Sequence, residues 1–206
     1  MFSQFARRWT ANLLNNPFVY ELFQRAVLTS RERKQIEELV ASLKGKILDF
    51  GCGNGKLAKY FDKEMYLGID PISSCIDVAR YRHPNHAFVV GTNEILSQFT
   101  RGEFEAVISW GVLHHLDDET LSRSLQGIRE ILSPGGSFIA LEPVRDSIEG
   151  LTIRDKVMSF DRGAYIREWE VYRNLLLNFG FNDVRVTIRK DLVRIPYRQV
   201  LIIAQI

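Results

Sequence analysis

The sequence is poor in cysteine, contains no long apolar run and carries almost no excess charge. Its two cysteines, Cys52 and Cys75, cannot form a disulfide framework, and reduced thiols are the simpler interpretation. The 27 lysines and arginines nearly balance the 25 aspartates and glutamates, so the formal net charge of +2 disfavours an extended nucleic-acid footprint. No segment is long and apolar enough to span a membrane. These features predict a soluble, cytoplasmic protein.

The composition is that of an ordinary globular domain. Hydrophobic residues make up 46% and charged residues 25% of the 206 residues, which excludes the disordered and fibrous classes. This length suits one sizeable core and is short for two. From residue 36 onward, apolar strands alternate with helical patterns, which is typical of a doubly wound α/β sheet. We therefore expect a single α/β domain.

The most informative motif is the stretch 47–55, where an apolar strand breaks into alternating glycines. Asp49 precedes Gly51, and the spacing Gly-x-Gly-x-Gly continues through Gly53 and Gly55. Glycine lets the backbone adopt positive φ and approach a ligand closely, and the free amides that open a following helix face the strand end. Dinucleotide-binding proteins use Gly-x-Gly-x-x-Gly instead. The stretch predicts a cofactor loop, with a purely structural turn as the alternative.

A second acid, Asp70, ends the next predicted strand, nineteen positions after Gly51. In nucleotide-binding βαβ units, a carboxylate near this position binds the ribose hydroxyls. Asp70 is therefore the candidate ribose ligand, and an ordinary surface acid is the alternative.

The glycine motif and the strand that contains it resemble the first motif of the class I S-adenosylmethionine-dependent methyltransferases, of the small-molecule type. The resemblance covers roughly residues 40 to 142. It implies a Rossmann-like, doubly wound sheet of seven strands with the last strand antiparallel, and S-adenosylmethionine as the cofactor. In that arrangement Asp49 suits the methionine ammonium and Asp70 the ribose diol. The implied cofactor-binding residues are Asp49, Gly51, Cys52, Gly53, Gly55, Asp70, Pro71, Thr92, Asn93, Ser109 and Trp110.

The resemblance also implies an acid or amide after the third strand, where it hydrogen-bonds the adenine amine. This sequence has Thr92 where the acid is expected, followed by Asn93. Asn93 is therefore the better candidate for the adenine contact.

The alternating pattern sets out the elements of the sheet. Strands are predicted at 46–50, 65–70, 86–90, 104–110 and 137–142, followed by a hairpin of strands at 182–189 and 197–205. Helices are predicted at 55–62, 73–82, 94–99, from about 118 to 132, and 168–179. Asp117 or Asp118 is the candidate N-cap of the fourth helix, and Gly180 suits the position after the last one. A type II turn is predicted at 133–136.

The first 35 residues are predicted to form a helical lid on the domain that spans 36–206. Phe2, Phe5, Trp9 and Leu13 recur at helical spacing, which indicates an amphipathic helix. In the resembled family, N-terminal helices lie over the cofactor and acceptor pocket. A transit peptide or a helix on a membrane surface is the alternative.

Two histidines follow the fourth predicted strand, within the stretch 109–118. The resembled family frequently has a histidine at position 115, and histidine titrates near neutrality, so His115 is the first candidate general base and His114 the second. The alternative is that one or both only hydrogen-bond the turn. A metal site beside Asp117 and Asp118 is disfavoured, because adjacent histidines rarely aim both rings at one ion. We therefore expect no metal.

A long polar connection follows the fifth strand and continues to residue 168. Connections of this length are uncommon unless they have a function or their own helix. In the resembled family this segment covers the acceptor, so Arg145, Arg162, Tyr165 and Arg167 are the candidate acceptor-binding residues. A solvated segment held by local ion pairs is the alternative.

The resemblance implies methyl transfer from the sulfonium of S-adenosylmethionine to an oxygen, nitrogen or carbon nucleophile by in-line attack. The aromatic residues of the N-terminal segment favour a small or lipid-like acceptor, and no nucleic-acid partner is expected. Two alternatives stay open. One is a non-catalytic S-adenosylmethionine-binding regulatory or scaffold protein, and the other is an NAD-dependent oxidoreductase, which the glycine spacing disfavours.

Overall fold

A computed structural model of the protein describes residues 30–145, 165–192 and 198–206. Its strands are β1 (Ile47–Phe50), β2 (Tyr66–Asp70), β3 (Ala87–Val90), β4 (Phe104–Trp110), β5 (Leu132–Val144), β6 (Asp183–Arg189) and β7 (Arg198–Gln205). They form one seven-stranded sheet in the order β3-β2-β1-β4-β5-β7-β6. The first five strands are parallel, and β7 is antiparallel to both of its neighbours. The carboxyl ends of five strands therefore meet at one edge of the sheet.

Helices cover both faces of this sheet. Within the described ranges the α-helices are α1 (Ser30–Ser42), α2 (Ser73–Arg82), α3 (Asp118–Ile131) and α4 (Trp169–Asn178). Ile36 of α1 and Ile76 of α2 are buried on one face, whereas Leu125 of α3 and Leu176 of α4 are buried on the other. No helix in these ranges has the length and apolar character needed to cross a membrane. The arrangement confirms the expected Rossmann-like fold with an antiparallel last strand.

The ends of two helices follow the predicted caps. Asp117 is the N-cap of α3, where its Oδ1 accepts a hydrogen bond from Thr120 N at 2.7 Å. Gly180 follows α4 with φ of +84°, and the next amide, Phe181 N, donates to Leu176 O at 3.1 Å. The left-handed backbone at that position explains why a glycine ends the helix.

The predicted helix at 55–62 is wrong. The structure has a single 3₁₀ turn there, Ala58–Tyr60, and its neighbouring amides make short-range bonds such as Ala58 N to Gly55 O at 3.2 Å. The segment between the glycine loop and the turn before β2 is too short to offset the cost of nucleating an α-helix.

The predicted turn at 133–136 lies inside β5 and not before it. Gly135 has φ of +77°, which the third position of a type II turn requires. The pairing of β4 with β5 changes register between Phe104 and Ala106, so the turn residues form an irregularity in a longer strand.

Helix α1 crosses the predicted boundary between lid and domain. Its Ile36 packs with Ile47 and Ile108, and its Leu39 packs with Leu141, so this helix contributes to the core. Residues 1–29, which carry the aromatic side chains of the predicted lid, lie outside the described residues. The lid therefore stays a prediction.

The main core predicts a large effect of truncating Phe138. This ring is fully buried on β5 at the centre of the sheet, and the Phe181 ring lies 6.2 Å away. Phe138→Ala should lower the free energy of unfolding by about 3 to 5 kcal/mol, because it removes buried apolar surface and leaves a cavity. Urea unfolding followed by circular dichroism measures this change. Tyr81→Ala, at a side chain that is 88% exposed, is the control and should change stability by less than about 0.5 kcal/mol.

Candidate cofactor and catalytic site

The glycine loop begins where β1 ends. Gly51 has φ of +79°, and its amide donates to Ile69 O at 2.8 Å, which ties the loop to β2. A Cβ atom built on Gly51 would lie 2.4 Å from a Val112 methyl carbon, so no larger residue fits. Gly53 has φ of +52°, and a Cβ atom there would meet nothing within 4 Å. The loop backbone thus borders open space at Gly53.

Asp70 stands beside this loop at the carboxyl end of β2. Its Oδ2 accepts from Gly53 N and its Oδ1 from Ile72 N, both at 2.9 Å. Burial raises the pKa of Asp70, whereas the two backbone hydrogen bonds oppose that rise. Each carboxylate oxygen keeps a second lone pair for another donor. The geometry joins Asp70 and the glycine loop into one unit, as the sequence predicted.

Exposed apolar side chains flank Asp70. Ile72 is 50% exposed, and Val90, which pairs with Asp70 across the sheet, is 44% exposed. Thr92 follows on the same edge and caps the 3₁₀ turn Asn93–Gln98, where its Oγ1 accepts from Glu94 N at 3.4 Å. If a ribose binds Asp70, a flat apolar ring next to that ribose would contact Ile72 and Val90. The sequence analysis did not predict these two residues.

Asp49 is buried inside the fold. It is 1% exposed, and the Tyr66 hydroxyl donates to its Oδ2 at 2.6 Å. Burial raises the pKa of Asp49 to about 7, the Tyr66 hydrogen bond opposes this rise, and the Asp70 charge adds a smaller increase. The inward hydrogen bond disagrees with the predicted ammonium contact, which needs a carboxylate that a ligand can reach.

Cys52 is also a packing residue. Its thiol lies under the loop against Gly68 of β2, and burial raises the thiol pKa well above its ordinary range. The thiol is therefore not a nucleophile, and the backbone of Cys52 is what the residue can offer a ligand. Gly55 packs on Ala79 and Phe88, while Pro71 is exposed beside Asp70.

The two histidines occupy a 3₁₀ turn, Leu113–His115, after β4. Glu142, at the carboxyl end of β5, is fully buried against this turn. Its Oε1 accepts from Val112 N and Leu113 N, both at 2.9 Å, and its Oε2 accepts from His114 N at 3.2 Å. The amides that open a helical turn have no partner within the turn, and Glu142 satisfies them.

The same carboxylate orients the His114 ring. His114 Nδ1 lies 2.6 Å from Glu142 Oε2, so the ring donates from Nδ1 and the neutral tautomer has Nε2 as its acceptor atom. His114 is buried, whereas His115 is exposed, and the two ring centroids are 4.1 Å apart. The carboxylate partner thus orients His114, the second candidate of the sequence analysis. Glu142 was missed there, although an acid that ends an apolar strand at the ligand-binding edge is a usable signal.

Ser109 and Trp110 end β4 below this turn. The Ser109 hydroxyl is buried and has no hydrogen-bond partner among the residues that the structure describes. Trp110 is half-buried and packs with the residues under α1. Only their backbone groups are therefore candidates for a ligand contact.

The structure corrects one predicted acceptor residue. The Arg167 guanidinium is buried and donates to Asp118 Oδ1 and to the carbonyls of Leu113, Leu116 and Tyr165. These bonds use all five of its N–H groups, so none is left for an acceptor. Tyr165 and Arg145 are exposed, and their role in acceptor binding stays a prediction, whereas Arg162 lies outside the described residues.

These elements meet where the strand order reverses. The order β2-β1-β4-β5 puts the glycine loop of β1 between Asp70 of β2 and the histidine turn of β4. In doubly wound sheets, the crevice at this reversal point binds the ligand. The fold and the site thus define a nucleotide-cofactor-binding α/β domain with a histidine–carboxylate pair beside it.

Comparison with known proteins identifies this domain. Residues 47–136 match the family described as the methyltransferase domain. An uncharacterized methyltransferase of Synechocystis sp. is 30% identical over 64% of this chain and 65% of that protein. A tRNA (carboxymethyluridine(34)-5-O)-methyltransferase of Xenopus tropicalis is 34% identical over 51% of this chain and 17% of that protein. The chain thus spans less than two thirds of the length of these relatives.

Solved structures agree in fold. An S-adenosylmethionine-dependent methyltransferase from Archaeoglobus fulgidus superposes with a TM-score of 0.71 at 18% identity, over 91% of this chain and 99% of that chain. A phosphoethanolamine N-methyltransferase of Haemonchus contortus, bound to S-adenosylhomocysteine, gives 0.69 at 16% identity, over 85% and 52%. Residues 47–136 are thus similar to the methyltransferase domain, and the fold is that of the class I S-adenosylmethionine-dependent methyltransferases. S-adenosylmethionine is the cofactor that this family uses.

The residues at the carboxyl edge fit that cofactor. The open space above Gly53 admits a ligand against the backbone, and Asp70 has lone pairs for a ribose diol. The exposed Ile72 and Val90 offer apolar surface for an adenine ring. Asp49 is directed inward to Tyr66, and its predicted contact with the cofactor ammonium is not made by an exposed carboxylate.

Burial of Asp49 predicts a particular dependence of stability on pH. The unfolded carboxyl titrates at about 3.9, and the folded one at about 7, so between these values the folded state keeps a proton that the unfolded state has released. The stability of the wild type should therefore fall as pH rises through this window. Asp49→Asn, which cannot titrate, should gain about 2 to 3 kcal/mol relative to the wild type between about pH 5 and pH 8.

Urea unfolding of both proteins across that pH range measures this difference. Asp77→Asn, at an exposed carboxyl on α2, is the control, and its curve should stay parallel to that of the wild type. Parallel curves for Asp49→Asn and the wild type would show that Asp49 does not keep its proton.

Proposed function

We propose that the protein transfers the methyl group of S-adenosylmethionine to an oxygen, nitrogen or carbon nucleophile on a small or lipid-like acceptor. The observation that carries the proposal is the juxtaposition at the sheet edge of a ribose-type acid, an open glycine loop and a histidine held by a carboxylate. The Gly-x-Gly-x-Gly spacing of the cofactor loop differs from the Gly-x-Gly-x-x-Gly of dinucleotide-binding proteins and disfavours hydride transfer. This is why the proposal is preferred to an NAD-dependent oxidoreductase.

In this proposal Asp70 accepts hydrogen bonds from the ribose hydroxyls, and Ile72 and Val90 flank the adenine. Gly53 lets the backbone approach the cofactor, while Asn93 is the candidate for the adenine amine. The cofactor, when bound, supplies a sulfonium-activated methyl group. The protein therefore needs chiefly to orient the acceptor and to exclude water.

His114 takes the proton of an acceptor that arrives protonated. Its Nδ1–H is committed to Glu142, which leaves Nε2 as the basic nitrogen and stabilises the charge that the ring gains. Glu142 acts through His114 and is a positioning residue. His115, which is exposed next to it, is the alternative base.

RNA is the second candidate acceptor. The name of the Xenopus relative specifies a tRNA uridine, and the similarity covers 51% of the present chain. The near-neutral charge of the chain favours the small or lipid-like acceptor over RNA. A cofactor-binding protein without turnover is the third alternative.

Asp70→Ala tests the cofactor assignment. It should weaken S-adenosylhomocysteine binding at least tenfold, because a hydrogen bond to a charged group contributes about 1.5 to 3 kcal/mol. Calorimetric titration with S-adenosylhomocysteine, S-adenosylmethionine and NAD measures this effect and also the selectivity of the wild type. Asp77→Ala, on the exposed surface of α2, is the matched control and should bind as the wild type does. Equal affinity of Asp70→Ala and the wild type would refute the ribose assignment.

His114→Ala tests the base. It should leave S-adenosylhomocysteine affinity within twofold of the wild type and lower methyl transfer by about 100-fold, the scale of general base catalysis. His115→Ala is the matched variant, one position away, and should lower turnover by less than about fivefold. Full activity of His114→Ala together with loss of activity in His115→Ala would reverse the assignment.

The assay incubates the protein with radiolabelled S-adenosylmethionine and separate small-molecule, lipid and RNA fractions of a cell extract. Label in the small-molecule or lipid fraction supports the proposed acceptor class. Label in RNA alone supports the second candidate. Cofactor binding without label in any fraction favours the protein without turnover.

A further inference from the structure

All five N–H groups of the Arg167 guanidinium donate hydrogen bonds within the protein, although Arg167 lies in a connection between a strand and a helix. Its side chain is 8% exposed, and its Nε and Nη2 contact Asp118 Oδ1 at 3.0 and 2.7 Å. Nη2 also donates to Leu116 O at 2.7 Å, and Nη1 donates to Tyr165 O at 3.0 Å and to Leu113 O at 3.2 Å. The planar fork of a guanidinium can supply five directed donors, which an ammonium group cannot.

Two of these acceptors, the carbonyls of Leu113 and Leu116, belong to the histidine turn and to the residue that caps its end. Glu142 binds the N–H groups that open the turn, at Val112, Leu113 and His114. Arg167 binds the carbonyls of Leu113 and Leu116, which follow in the same turn. The two charged side chains therefore hold opposite polar ends of one short segment.

Arg167 also lies where the two ends of the connection after β5 come together. Arg145 N, at the start of the connection, donates to Arg167 O at 3.1 Å, and Tyr165 N, near its end, donates to His114 O at 3.0 Å. The connection therefore begins and ends against the histidine turn. Arg145 and Tyr165 are therefore both hydrogen-bonded to this part of the fold, at Arg167 and His114.

We propose that Arg167 is the positioning residue that holds His114 in its reactive orientation and attaches the connection after β5 to the histidine turn. The proposal rests on the proposed function, in which His114 is the base. It gives Arg167 a role in place of the predicted acceptor contact. Because a displacement of about 1 Å at a reacting group can cost about 100-fold in rate, holding the turn from both ends matters for transfer.

Substitution of Arg167 tests this role without any acceptor. In Arg167→Gln, hydrogen exchange at the Leu113 and His114 amides should accelerate at least tenfold, while exchange in α2 stays within twofold. The ¹⁵N signals of the His114 ring should change from one tautomer, protonated at Nδ1, to an average of two. S-adenosylhomocysteine affinity should stay within twofold, because Asp70 and the glycine loop are untouched.

Arg167→Lys keeps the positive charge. It provides the test of the proposal in the event that Arg167→Gln does not fold. With three donors in place of five, it should accelerate the same amides at least threefold. Arg185→Gln is the matched control, since Arg185 is exposed on β6 and pairs with Asp183 and Gln205, away from the histidine turn. This control should match the wild type in every measurement.

Wild-type exchange and an unchanged His114 tautomer in both Arg167 variants would overturn the inference. An equal acceleration in α2 and in the turn would also overturn it, because that result describes a general loss of stability. The proposed function fails separately, through absence of S-adenosylhomocysteine binding to the wild type. The NMR results remain decisive for Arg167 in that case.

Discussion

The site depends on one buried carboxylate, that of Glu142. It is fully buried, and removing a carboxylate from water costs several kcal/mol unless hydrogen-bond donors replace the lost hydration. Three consecutive backbone amides and the His114 ring supply four donors. The same four bonds define the path of the chain after β4 and the direction of the ring. The carboxylate and the turn therefore stabilise each other.

The histidine turn also packs against the glycine loop. Val112, whose amide binds Glu142, packs so closely on Gly51 that a Cβ atom there would lie 2.4 Å from a methyl carbon. Gly53, two residues further, binds Asp70. A continuous set of contacts thus joins the end of β5, the turn after β4, the loop after β1 and the end of β2. These contacts place the histidine turn next to the cofactor loop.

The features that the sequence predicted well are those that depend on neighbouring residues. The glycine loop, Asp70 at a strand end and the Asp117 cap need only local backbone geometry, and the structure agrees with each. The helix predicted at 55–62 was wrong because the apolar pattern carries no information on the free-energy cost of nucleating an α-helix in a short segment. Asp49 was misjudged because its partner, Tyr66, stands on the adjacent strand.

The sequence by itself determined the fold class through its periodicity. The contiguous glycine motif indicated the cofactor through its resemblance to S-adenosylmethionine-dependent methyltransferases. Tertiary structure decided which of two adjacent histidines is held by a carboxylate, and it made Arg167 a structural partner of the turn. The physical reason is the same in both cases. Glu142 and Arg167 are distant along the chain from the residues they bind. Only the pairing of β4 with β5 and the packing of residues 165–167 against the turn bring those charges and backbone groups within hydrogen-bond distance.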